Sequence, residues 1–195
     1  VKFGLVAFRS STKAVPGLEY TSKMFVDPST VKDGKDFMDK VANLKQATVS
    51  SKEFSEDAYA GVSQALNDLN WNNFGGRYLV LITDAGAIEG DNPISTTGLD
   101  AKQLRLEAQH RGVALYTLHL KTPSGKNNHQ IAQAQYNELS FNNYLNKPLY
   151  YPVNAGDVNE FGQKVVTLAS ALTKQVKQAY SGEEAAGSVL TATTK

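Results

Sequence analysis

Two kinds of hydrophobic pattern take turns along this chain. Residues 78–83, YLVLIT, are apolar almost without interruption and stop at Asp84, Ala85 and Gly86. An unbroken apolar run of this length predicts a strand covered on both faces, as in parallel sheets sandwiched by helices. Residues 1–8 (VKFGLVAF) and 113–120 (VALYTLHL) share that character. Residues 18–26 (LEYTSKMFV) alternate more and predict an edge strand with one wet face, while 149–153 predict a short fifth strand. Stripes at helical spacing fall between the strands: Phe37, Val41 and Leu44; Tyr59, Val62, Leu66 and Leu69; Ile131, Tyr136 and Leu139; and Phe161, Val165, Leu168, Leu172 and Val176. Helix boundaries follow from capping chemistry. Ser55 is placed as an N-cap with Glu56 and Asp57 in the first turn, and Asp100 caps a helix closing at His110, Arg111 and Gly112. Asp157 and Glu160 form a capping-box pattern.

Strands alternating with helices predict βαβ units, and so an α/β fold: a doubly wound, mostly parallel sheet with helices on both faces. Residues 1–180 are read as one domain. Residues 181–195 are a tail, small and polar apart from Val189 and Leu190. A start at Val1, without methionine and inside a predicted strand, leads us to expect a piece of a longer protein.

Composition narrows the function classes. Over 195 residues, 41% are hydrophobic and 20% charged, as in a soluble globular domain. A net charge of +1 offers nucleic acid or an anionic membrane no electrostatic handle. No apolar run has the length a bilayer demands, so no direct membrane contact is expected. Without cysteine the chain has no disulfide, thiolate nucleophile or cysteine-held metal.

Ligands of open parallel sheets bind outside the carboxyl ends of the strands, which singles out Asp84 and the turn at Gly86. As an enzyme, the chain would be a small α/β hydrolase or phosphotransferase using Asp84 as nucleophile or metal ligand. That reading lacks a second player, because no paired base or glycine-rich phosphate cradle stands at a working spacing. Ser124-Gly125-Lys126 falls short of a full phosphate-loop pattern. His110, His119 and His129 show no ligand spacing and are read as structural. Ser10 and Ser11 are read as loop residues.

Four segments together resemble the von Willebrand factor A (VWA) domain: VKFGLVAF, DAYAGVSQAL (57–66), RYLVLITDAG (77–86) and GVALYTLHL (112–120). Their order and spacing agree with that family from residue 1 to about residue 176. The segments SSKEFSEDAYAG and GGRYLVLITDAGA are most similar to the carboxyl-terminal VWA region of serine/threonine kinases associated with bacterial type VI secretion.

The resemblance implies a protein-binding module rather than an enzyme, its kinase domain lying outside this chain. It also implies a bacterial source, with the periplasmic face of a membrane-anchored parent, or the cytoplasm, as its place. In the family, Asp-x-Ser-x-Ser, a Thr and an Asp form a metal-ion-dependent adhesion site for Mg²⁺. Here only Asp84 matches that pattern. The Thr position falls on Glu56, or on Ser55 with a shift of one, and Asp-x-Ser-x-Ser has no counterpart. The expected metal set is therefore Asp84, Glu56 and Ser55, degenerate or incomplete, with any Mg²⁺ held by the longer protein rather than by this chain alone. The expected partner, another protein, would meet Arg9, Ser10, Ser11, Asp84, Gly86, Glu89 and Asp91. The family's strand order also leaves a central strand missing between residues 1–8 and 78–83. An upstream segment, this tail or a neighbouring copy's tail is expected to fill it, the last by strand exchange in a homo-oligomer; the alternative is a rearranged sheet in which the two strands pair directly.

Overall fold

The computed structural model describes residues 1–45, 47–49, 51, 53–154 and 158–188. The chain runs β1 (Leu5–Phe8), β2 (Ser22–Val26), α1 (Gly34–Val41), α2 (Ala58–Asp68), β3 (Tyr78–Thr83) and α3 (Ala101–His110). It continues through β4 (Ala114–Lys121), α4 (His129–Leu139), β5 (Phe141–Asn142), β6 (Lys147–Pro148), β7 (Tyr150–Asn154) and α5 (Val158–Tyr180). This is the predicted α/β architecture. Strands β3, β4 and β7 form a parallel sheet in that order, with Leu81 opposite Thr117 and Leu118 opposite Tyr151. β4 lies at its centre, and Ala114 to His119 are all buried.

Helices cover both faces. Tyr59, Val62 and Leu66 of α2, Leu104 of α3 and Tyr136 and Leu139 of α4 enclose Leu81 and Leu115. On the other face, Leu168 and Leu172 of α5 meet Tyr116, Tyr78 and Val80. α2 forms because an alanine-rich segment follows a capped start. Gly61 lets it settle on β1: a Cβ there would sit 3.0 Å from the Phe8 ring.

The sheet comes in pieces, however. β1 and β2 form a separate antiparallel pair, in which Leu5 is opposite Val26. β1 and β3 do not pair with each other, and α2 packs against β1, β2 and β3. The tail runs only to the start of β3 in the described residues. There Gly187 accepts a hydrogen bond from the Arg77 N–H at 2.7 Å, and Ser188 bridges Gly76 in antiparallel sense.

Several expectations are corrected. The first two strands are shorter than 1–8 and 18–26, because their ladder runs only from the Leu5–Val26 pair to the Phe8–Ser22 pair. Residues 78–83 are not buried on both faces throughout, since Ile82 is 51% exposed where β3 has no neighbour. α1 buries none of its residues and ends before Leu44, because it lies at the β2 edge of the fold. Leu69 caps α2 at its end rather than lying within it. In α4 the buried stripe is Ala132, Tyr136 and Leu139, and Ile131 points outward, 57% exposed. Phe161 and Val165 are exposed because α5 outruns its platform: 23 helical residues span about 34 Å, whereas the five of β7 span about 17 Å. Asp157, half of the expected capping box, lies outside the described residues, as do Val189 and Leu190.

Candidate functional site at the carboxyl end of the sheet

The residues singled out in the sequence converge on one rim, but with different jobs from those expected. α2 begins at Ala58, and its N-cap is Asp57, not Ser55. Asp57 is fully buried. Its Oδ1 accepts from the Ala60 N–H at 3.3 Å, and its Oδ2 accepts from the Thr96 N–H at 3.1 Å and the Thr96 hydroxyl at 2.6 Å. One carboxylate thus fastens the long 87–98 loop to the start of α2. Ser55 Oγ accepts from Asn128 Nδ2 at 3.3 Å.

Glu56 lies outside the helix and joins two strand ends. Its N–H donates to the Gly86 carbonyl at 3.1 Å, and its own carbonyl accepts from the Ile88 N–H at 2.9 Å. The next residue turns the other way: the Asp57 N–H donates to the Arg9 carbonyl at 2.9 Å. Glu56 and Asp57 therefore form a crosspiece between the loop after β1 and the loop after β3. The Glu56 carboxylate takes one hydrogen bond, from Ser51 Oγ to Oε1 at 2.9 Å, while Oε2 is buried without a partner. Burial raises its pKa above the usual carboxylate range, and the negative charge of Asp84 adds to the rise.

Asp84 is partly buried at the end of β3. The turn after it is held by side chains of the 121–139 region. Gly86 N–H donates to Asn128 Oδ1 at 2.6 Å, Ala87 N–H to Gln135 Oε1 at 2.9 Å, and the Tyr136 hydroxyl to the Ala85 carbonyl at 2.6 Å. Gly86 is required here, because a Cβ would come within 2.9 Å of Gln135 Oε1 and 3.0 Å of Asn128 Oδ1. Glu89 accepts from the Tyr59 hydroxyl at 3.1 Å and from Gln135 Nε2 at 2.9 Å. Sequence reasoning missed Gln135 and Thr96, because single polar residues in a loop or on a helix carry no spacing signal, and it read Tyr136 only as part of an apolar stripe.

The partner-facing set divides. Asp91 is exposed and Asp84 half-buried, so both can meet a partner. Arg9, Ser10 and Ser11 are buried. Arg9 is consumed inside, paired with Glu19, donating to the Val49 carbonyl and stacked 5.6 Å from the Tyr20 ring centroid. Ser11 caps its own turn, accepting from the Lys13 N–H at 3.1 Å. Ser10 Oγ is buried without a partner.

As a cation site the arrangement falls short. Glu56 Oε2 and Asp84 supply two carboxylates, the Ser55 hydroxyl is engaged by Asn128, and no group of three or more acidic or histidine ligands occurs among the described residues. Mg²⁺ asks for near-octahedral oxygen coordination, which these side chains do not supply.

A second polar cluster lies below the rim. His119 is fully buried in β4, its Nδ1 2.7 Å from the Tyr150 hydroxyl and its ring 5.7 Å from that of His129. Burial lowers its pKa to about 4, with the charges of His129 and Lys121 contributing. Two histidines far apart in sequence are thus neighbours in the fold.

No family model and no curated protein matches this chain. Among solved structures, it is similar to the crystal structure of a conserved hypothetical protein, BatB from Bacteroides thetaiotaomicron. The TM-score is 0.48 at 15% identity, covering 87% of this chain and 80% of that one.

Proposed function

We propose that this chain is a protein-interaction module of VWA type, which recognises another protein through the rim at the carboxyl end of its sheet. The observation that carries the reading is the rim itself. Loops from both sheets are locked together by the Glu56–Asp57 crosspiece, and the lock leaves Asp84 and Asp91 reachable. Rigid loops that present charged groups suit recognition. The finer part of the proposal makes the module the carboxyl-terminal region of a bacterial secretion-associated serine/threonine kinase, on the periplasmic side of a membrane-anchored parent. It rests on the segments SSKEFSEDAYAG and GGRYLVLITDAGA.

Site-specific crosslinking tests the rim. A photoreactive residue at Asp91 or Lys126 should capture the same protein, whereas one at Met38 or Val166, both exposed elsewhere, should not. Capture from the latter positions alone would move the interface off the rim.

A further inference from the structure

We infer that the groove between α4 and the carboxyl end of β4 docks a short, extended, acidic segment of the partner protein. This deepens the interaction-module reading and rests on it. The groove has a volume of about 470 Å³. α4 contributes His129, Gln130, Gln133 and Asn137 to its lining, and the strand end and loop before the helix contribute Lys121 and Lys126. No acid lines it, and neither lysine is paired with an acid among the described residues. The chain carries 20 basic and 19 acidic residues, so two cations without an acid are a local segregation of charge, not general basicity. Lys121 Nζ donates only to Gln133 Oε1, at 3.2 Å, a neutral acceptor that a carboxylate would outcompete. The positive field reaches inward: burial lowers the His119 pKa to about 4, and the charges of His129 and Lys121 contribute to the fall.

The shape of the lining argues for a peptide. From His129 to Asn137 the helix rises about 12 Å, which matches about four residues of extended chain. Ammonium groups take the carboxylates of such a segment, and the amides of Gln130, Gln133 and Asn137 can bond its N–H and C=O groups. An isolated phosphate would use the cations and leave the amides idle. The place of the groove argues for the partner that meets the rim. Asn128 and Gln135, from the loop before α4 and from α4 itself, fasten the Gly86–Ala87 turn, so groove and rim share one helix and one partner can span both. The adjacent acids Glu183 and Glu184 of this chain are not the occupant. They belong to the segment that runs to Gly76 and Arg77 at the start of β3, whereas Lys121 ends β4 at the opposite end of the sheet.

Fluorescence anisotropy with the full chain tests this, using the capped octapeptide Gly-Ser-Asp-Glu-Asp-Glu-Gly-Ser and a twin with Asn and Gln at the acidic positions. At physiological ionic strength the acidic peptide should bind at least about tenfold more tightly than its twin. Lys121→Glu combined with Lys126→Glu should weaken it at least about tenfold. Lys174→Glu combined with Lys177→Glu, the same charge change on exposed positions of α5, should leave binding near wild type. Lys126→Glu alone, at an exposed position, should act in the same direction and serves where the first pair does not fold. Amide shifts should map to Lys126, His129, Gln130 and Gln133, and the His119 pKa should rise from about 4 as negative charge offsets Lys121 and His129. Equal binding of the two peptides, equal loss in both reversed pairs, or shifts confined to another surface would overturn the inference. So would displacement of the acidic peptide by a lower concentration of inorganic phosphate or of a single-stranded oligonucleotide, since the ligand would then be a phosphate. Loss of peptide binding in a longer form of the polypeptide would overturn it too, because the groove would then hold a segment of the same chain. If a photoreactive residue at Asp91 captures a protein that the Lys121 and Lys126 reversals do not weaken, the module reading survives and the groove reading alone fails. If no rim position captures a protein, both fall.

Discussion

Acid should unfold this domain partly through one residue, His119. In the folded state its imidazole is enclosed by β4, Tyr150, Tyr136 and His129, and its Nε2 is buried without a hydrogen-bond partner. A charged ring there would face His129 and Lys121 with no acid among the groups that shift it, so its pKa falls from 6.5 to about 4. The sign follows from linkage. Between these values the unfolded chain binds a proton that the folded protein refuses, so stability rises with pH and is lost as pH falls. With these two pKa values, the loss is about 1 kcal/mol at pH 5.5 and about 3 kcal/mol at pH 4. That is a large share of the roughly 5–15 kcal/mol that holds a domain together. His119→Phe isolates the effect. It keeps an aromatic ring of similar shape, deletes the titrating group, and frees the Tyr150 hydroxyl, which is only half-buried. Urea unfolding of both proteins at pH 7, 5.5 and 4 provides the readout. At pH 7 the variant should lie within about 1 kcal/mol of wild type, and by pH 4 it should be the more stable by about 2–3 kcal/mol. Carboxylates that protonate in both proteins cancel in the difference. If the two curves fall in parallel, His119 is not the group that titrates, and the argument from its burial is wrong.

Asp57→Ala should cost about 2–4 kcal/mol in urea unfolding, since it removes a helix cap and strands two Thr96 donors. The 87–98 loop should become protease-sensitive as well. Glu56→Gln should raise the thermal midpoint at pH 7, because burial and Asp84 already disfavour the carboxylate. A raised acid pKa costs stability above it, so the difference should vanish as pH falls below 4.5, the unfolded value. Gly86→Ala should destabilise by about 1–3 kcal/mol, through contact with Gln135 and Asn128 in a turn that cannot yield. Mg²⁺ should bind this chain only at millimolar concentration by calorimetry, since two carboxylates leave most of its coordination to water. Saturable micromolar binding abolished by Asp84→Ala would refute that.

How much of this was legible beforehand depends on the range of the forces involved. β4 announced itself because burial on both faces selects an unbroken apolar run, and VALYTLHL is buried almost throughout. Asp100 was legible for a similar reason: its cap to Gln103 and the reciprocal bond lie within four residues. Errors arose where a long-range contact decided between neighbours. Ser55, Glu56 and Asp57 are all competent at a helix start, and the choice of Asp57 depends on Thr96, 39 residues away. Ile131 and Ala132 compete for the same stripe, and only the position of α4 against the sheet settles which is buried. Arg9 looked like a surface charge because its partners, Glu19 and Val49, come from elements that no local pattern places beside it.

The rim shows the same limit in its sharpest form. Glu56 and Asp57 are adjacent in sequence yet bond to loops that follow strands of different sheets. An apolar pattern reports that a strand is covered, but not by what. Ile82 belongs to a run that predicts burial and is half exposed in the fold, at the edge where β3 has no neighbour. An apolar run thus reports how much of a strand is covered on average, and not which element covers each residue.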